Sequence, residues 1–155
     1  MQVDRPRPLV LIAEDDPDLR LIVGDLVRRR TGARVRTVES GPAALLRARE
    51  EPPAIVVLDA GLPGLDGFEV ARRLRADPDL TWTALVGLSG AGRMRADIVA
   101  AAGFDAFLDK RGGLGALVDT LRDLLVSQGF SVVERPEGDR LGPGDRARGA
   151  VARPR

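Results

Sequence analysis

Ala54-Ile55-Val56-Val57-Leu58-Asp59-Ala60-Gly61-Leu62-Pro63-Gly64 is the stretch that decides the fold. Five apolar residues in a row end abruptly in an acid, and a Gly/Pro-rich turn follows. An unbroken apolar run of this length suits a strand covered on both faces of a parallel sheet. In such sheets ligands bind at the carboxyl ends of the strands, which is where Asp59 then lies. Asp59 is poorly explained as a simple helix cap, because Gly61, Pro63, Gly64 and Gly67 separate it from any immediate helix start.

Four more short apolar runs flank this one: Leu9–Ala13, Arg34–Val38, Thr83–Leu88 and Ala106–Leu108. Leu9–Ala13 is again continuously apolar. Arg34–Val38 alternates and reads as an edge strand, and Gly87 interrupts Thr83–Leu88. Helical patterns lie between the runs. Leu19, Ile22, Val23, Leu26 and Val27 repeat on one helix face, and Gly32 sits just past them. Ser40-Gly41-Pro42 opens a second helix with a capping hydroxyl and Pro in the first turn. Asp66 to Arg75 and Arg93 to Ala102 make a third and a fourth, and a leucine stripe from Leu114 to Leu125 makes the fifth. This alternation predicts an α/β fold, a (βα)5 doubly wound parallel sheet with helices on both faces.

Composition excludes several chemistries. The 155 residues contain neither Cys nor His. Thiolate and imidazole metal sites, disulfides and a Ser-His-Asp triad are therefore ruled out within this sequence. An ion held here would be a hard one with oxygen ligands. Residues 9–128 carry sixteen basic and eighteen acidic side chains, a nearly neutral core without the footprint of a nucleic-acid binder. No apolar run approaches a membrane span and no signal-peptide pattern opens the chain, so the expected location is cytoplasmic. Residues 131–155 turn rich in Arg, Gly and Pro and read as a disordered tail behind a domain spanning 8–128.

The strand ends collect the chemistry. Glu14-Asp15-Asp16 follow the first strand, Asp59 the third, Ser89 the fourth and Lys110 the fifth. Acids before Pro17 are also an ordinary helix-capping signal, so this triplet alone decides little. Clustered acids repel in a partly desolvated cleft, and a divalent cation offsets that repulsion. Lys110 is the only Lys among 24 basic residues. A compact ammonium at this slot suits a phosphoryl oxygen better than a planar guanidinium does.

The segments VLIAEDDPDLR (10–20), VVLDAGLPGLDGFEVARRLR (56–75), LVGLSG (85–90) and AAGFDAFLDK (101–110) together resemble the receiver domain of two-component response regulators. The resemblance implies a flavodoxin-like sheet of strand order 2-1-3-4-5. It implies Asp59 as phospho-acceptor, with Mg²⁺ bound directly by Asp15 and Asp59, through water by Glu14, and by the backbone carbonyl of Gly61. It further implies Lys110 as partner of the phosphoryl oxygens, Ser89 as switch hydroxyl and Phe107 as the aromatic switch position. Asp16 falls outside this set. The implied activity is that of a stand-alone response regulator that catalyses only its own phosphorylation and dephosphorylation. The implied partners are a sensor histidine kinase or phosphotransfer protein and a downstream protein target, with no direct nucleic-acid or membrane contact. The regulator would be a monomer or a phosphorylation-dependent dimer. An unphosphorylated scaffold and a Mg²⁺-dependent aspartyl-phosphate phosphohydrolase are the alternatives. The second lacks the acid it needs two residues after Asp59, where Gly61 stands. The family usually carries Pro after the Lys, joined by a cis bond. Arg111 stands there instead, and a cis bond without Pro costs about 2.5–4 kcal/mol, so a trans bond and a differently shaped loop are expected.

Overall fold

The computed structural model describes residues 5–90 and 94–135. Five parallel strands, β1 (Leu9–Ala13), β2 (Arg34–Val38), β3 (Ile55–Asp59), β4 (Ala84–Ser89) and β5 (Ala106–Asp109), form one sheet in the order β2-β1-β3-β4-β5. Five helices connect or close it: α1 (Pro17–Thr31), α2 (Gly41–Glu50), α3 (Gly67–Ala76), α4 (Ala96–Ala102) and α5 (Leu114–Ser127). The expected topology is thus observed, with the alternating β2 at an edge. Strand ends shift by one residue, so that Asp59, Ser89 and Asp109 are the last residues of β3, β4 and β5. Helix α4 starts at Ala96, later than the expected Arg93, which lies outside the described residues.

Strand parity explains the continuous apolar runs. Val10, Ile12, Ile55, Val57 and Val86 point to one face, where they pack with Val23 and Val27 of α1 and Leu117, Leu121 and Leu125 of α5. Leu11, Ala13, Val56, Leu58 and Leu85 point to the other, against Ala44 and Leu45 of α2, Val70 and Leu74 of α3 and Phe104. Both faces are covered, so alternation with polar residues would bury polar groups at a cost.

Helix α1 differs from its expected stripe. Val23 and Val27 are buried, but Ile22 stands 55% exposed. Gly24 takes the buried place beside them. A Cβ there would lie 3.3 Å from the Thr37 methyl of β2, so the missing side chain lets helix and edge strand approach. Asp16 has a local role: its carboxylate accepts from the N–H groups of Asp18 and Leu19 at 2.9 and 3.1 Å, capping α1. Asp66 caps α3 in the same way through Glu69 N–H.

The chain beyond α5 does not leave the domain at once. Residues 131–135, read as the start of the tail, run along the end of α1. There the N–H groups of Val133 and Arg135 donate to the carbonyls of Thr31 and Arg29. Arg30 pairs with Glu134 at 2.7 Å, while Phe130 and Val132 pack on the α1/α5 side of the core. The last carbonyls of a helix lack intrahelical donors, and this segment supplies two. Residues 136–155 of the expected tail lie outside the described residues.

Gly67 fixes the turn that carries Asp59. A Cβ at Gly67 would sit 2.4 Å from the Asp59 carbonyl oxygen, so backbone rather than a pliable side chain blocks it. Gly67→Ala should therefore destabilise the domain by about 1–3 kcal/mol, outweighing the better helix propensity of Ala. Urea unfolding monitored by circular dichroism reads this out, and an unchanged or raised midpoint would contradict the close approach.

Candidate functional site

The strand order brings Glu14 and Asp15, which follow β1, beside Asp59 on β3, with Ser89 at the end of β4 and Lys110 just past β5. One carboxylate oxygen from each of Glu14, Asp15 and Asp59 can be chosen so that all three lie within 4.8 Å of one another. Glu14 and Asp59 are buried, at 3% and 7% exposure, and Asp15 is exposed. Lys110 bridges the buried pair. Its Nζ donates to Glu14 Oε2 and to Asp59 Oδ2, both at 2.9 Å.

The backbone holds each acid in place. The Glu14 N–H donates to the Val38 carbonyl of β2, and Arg20 of α1 reaches back to the Glu14 carbonyl at 3.0 Å. Asp59 Oδ1 accepts from the Gly61 N–H at 3.1 Å. The N–H of Ala60 donates to the Leu88 carbonyl at 2.8 Å, and that of Gly67 donates back to the Ala60 carbonyl, closing the turn after β3.

The electrostatics follow from this packing. Burial holds the Glu14 carboxyl above the ordinary value of 4.5; the Lys110 hydrogen bond offsets only part of this, and the charge of Asp59 adds to it. For Lys110, burial disfavours the ammonium, but the bonds to Asp59 and Glu14 outweigh it and raise the amine above 10.5. The site is therefore a cation-demanding pocket in which one ammonium partly satisfies two carboxylates.

Ser89 is buried at the end of β4 and stands in register with Asp109. Phe107 is half-buried on β5 and belongs to an aromatic trio that the sequence did not announce. Its ring stacks on Phe68 at 5.6 Å between centroids and meets Phe104 edge-on at 5.3 Å. Phe107 and Phe104 lie over Gly87, where a Cβ would come 2.2 Å from the Phe107 ring. The interruption in the fourth strand is thus the notch that seats the ring. The available signal was scarcity: three of only four Phe residues, at 68, 104 and 107, share one cluster. No cis peptide bond occurs among the described residues, so Lys110–Arg111 is trans as expected. A cavity of about 380 Å³ opens at the other edge of the sheet, beside Arg75, Trp82 and Gln128. No predicted site residue lines it, and the charged cluster, which has the chemistry, is the better guide to the site.

Comparison with known proteins agrees with this geometry. The sequence pattern of the response regulator receiver domain matches residues 10–134. The transcriptional regulatory protein PrrA of Mycobacterium tuberculosis is 35% identical over 139 residues, covering 88% of this chain and 58% of PrrA. The transcriptional regulatory protein AfsQ1 of Streptomyces coelicolor is 45% identical over 73 residues, 47% of this chain and 32% of AfsQ1. The chain thus spans less than two thirds of the length of these relatives. Among solved structures, a Chloroflexus aurantiacus protein assigned as a response regulator superposes with a TM-score of 0.69 at 29% identity, covering 78% of this chain and 99% of its own. Chemotaxis protein CheY4 of Vibrio cholerae gives 0.70 at 23% identity over 77% of this chain and 100% of its own, a likeness of fold.

The raised Glu14 carboxyl gives a pH signature in metal-free protein. A folded-state value above the unfolded one means that the folded state holds the extra proton. The associated stability is present at low pH and lost as pH rises from 4.5 through the folded value. Urea unfolding in a chelating buffer between pH 4 and 7 should show wild type losing stability with rising pH relative to Glu14→Gln. A difference that grows in the opposite direction would reverse the assignment.

Proposed function

This chain belongs to the response regulator receiver family of two-component signalling, and from that premise we infer that it is a phospho-accepting switch with Asp59 as acceptor. The observation that carries this reading is the joint hold of Lys110 on Glu14 and Asp59, beside Asp15. An ammonium already within 2.9 Å of the acceptor carboxylate stands where the charge of an incoming phosphoryl group needs neutralising.

The donor set fits Mg²⁺. Three carboxylates with mutually close oxygens, in a chain without Cys or His, are the hard ligands this ion takes while keeping several waters. Asp15 and Asp59 would hold it directly and Glu14 through water, with the Gly61 carbonyl as a third direct protein ligand, and when bound it supplies positive charge against the phosphoryl oxygens. This chain's residues do the rest. A carboxylate oxygen of Asp59 attacks phosphorus in line. The bond from phosphorus to the donor nitrogen of a phosphohistidine breaks, and its electron pair leaves with the imidazole. These 155 residues contain no His, so the donor histidine lies outside them, in a histidine kinase or phosphotransfer module. Lys110 moves its contact from the Asp59 carboxylate to the phosphoryl oxygens.

The acyl phosphate adds roughly two negative charges beside Ser89. The Ser89 hydroxyl donates to a phosphoryl oxygen, and Phe107 repacks beside it. This turns a local charge into a change on the face built by α4, β5 and α5. A downstream protein, or a second copy of the chain, reads that face in the cytoplasm. No helix among the described residues is long and apolar enough to cross a membrane. The nearly neutral core argues for protein rather than nucleic acid as the direct contact of residues 9–128.

Incubation with Mg²⁺ and acetyl phosphate should add one phosphoryl group, read by intact mass, and Asp59→Asn should abolish it. Lys110→Ala should slow labelling by about 10²-fold, the scale of losing one electrostatic stabiliser. Labelling that persists in Asp59→Asn would reject the acceptor, and steady release of phosphate from simple esters would favour a phosphohydrolase.

A further inference from the structure

Lys110 is the first residue of the loop between β5 and α5, and that loop has little to lean on. Cβ atoms added at its Gly112 and Gly113 would meet nothing within 4 Å. Beyond the bonds of its Nζ to Glu14 and Asp59, the backbone that carries the ammonium is held by local bonds. One side chain makes most of them. Asp109, the last residue of β5, caps a single 3-10 turn formed by Lys110–Gly112. Its Oδ1 accepts from the Arg111 N–H at 2.9 Å. The Arg111 guanidinium folds back on the same carboxylate, with Nε 3.1 Å from Oδ1 and Nη2 2.8 Å from Oδ2. The turn closes when the Gly113 N–H donates to the Lys110 carbonyl at 3.3 Å, and Gly113, at φ 86°, then redirects the chain into α5.

Lys110 is thereby bracketed. The residues before and after it are tied to each other through one carboxylate, and its own carbonyl is tied forward. We propose that Asp109 is a positioning residue for phosphorylation at Asp59. Its clasp on Arg111 sets the direction in which Lys110 leaves β5 and holds Nζ on the acceptor. The inference rests on the reading of Asp59 as phospho-acceptor and adds the device that aims its lysine.

The clasp is placed to affect rate more than stability. The Asp109 and Arg111 side chains are 32% and 68% exposed, and pairs of this kind contribute little to folding. A displacement of about 1 Å at a reacting centre can still cost up to 10²-fold in rate.

The test uses the full chain with Mg²⁺ and acetyl phosphate, following initial labelling by intact mass. Beryllofluoride, a phosphoryl mimic, is titrated in parallel as a donor-independent readout. Asp109→Ala should lower the labelling rate and the beryllofluoride affinity by about tenfold or more, within the range that such displacements produce. Asp109→Asn keeps an acceptor for the Arg111 N–H and should fall between Asp109→Ala and wild type. In the Lys110→Ala background, Asp109→Ala should have no further effect, because the clasp acts only through that lysine. A merely structural role would instead slow both backgrounds equally and lower the melting temperature in step, and that result overturns the proposal. Wild-type rate and affinity in Asp109→Ala overturn it too, while labelling at Asp59 leaves the acceptor standing. A wild type that takes neither acetyl phosphate nor beryllofluoride overturns both readings.

Discussion

One ammonium between two buried carboxylates is the constraint around which this molecule is arranged. Glu14, just past β1, and Asp59, the last residue of the neighbouring β3, sit in a cleft that excludes most water, where two like charges destabilise each other and a cation is required. Lys110 meets both from the far side of the sheet, with β4 between its own strand and Asp59. That reach requires β1, β3, β4 and β5 to end at one level, the loops behind Glu14 and Asp59 to be pinned, and the lysine to leave its strand in the right direction. The parallel register meets the first requirement. The bonds of Arg20 to Glu14 and of Gly61 to Asp59 meet the second.

Glycines mark where this arrangement is tight. At Gly67 helix α3 starts against the Asp59 backbone, and at Gly87 an aromatic ring lies where a methyl would otherwise be. The second contact seats Phe107, the residue proposed above to repack on phosphorylation. Phe107 is held by two other rings and a notch instead of by a deep pocket, so it is seated yet only half-buried. A side chain held in this way can change place without opening the core.

The fold was largely legible in the residues because its strongest signals are local and redundant. The runs at Leu9–Ala13 and Ala54–Leu58 can hardly be anything but doubly covered strands, and Ser40-Gly41-Pro42 announces a helix start. The charged residues at the strand ends were legible for a related reason: once the strands are placed, topology alone gathers them. What escaped depended on pairs distant in sequence or on geometry without a pattern. Ile22 fits the helical stripe yet lies outside, because the approach of β2 favours Gly24 in the buried place. The role of Gly87 is visible only once Phe107 is laid across it. The bonds from residues 131–135 to the end of α1 join segments about a hundred residues apart, in a stretch whose composition reads as solvated tail. The Asp109–Arg111 contact is local, but a lone acid two residues before an arginine carries no recognisable signature.

The solitary lysine has a chemical consequence beyond its electrostatics. No other side chain in these 155 residues presents a primary amine, so a reagent that acylates amines has a single side-chain target. That target is the group shared by Glu14 and Asp59. Acylation would erase its positive charge and fill the cleft with a neutral amide. Both carboxylates would then lose their counter-charge in one covalent event, whereas the 23 arginines spread over the rest of the chain would be left untouched.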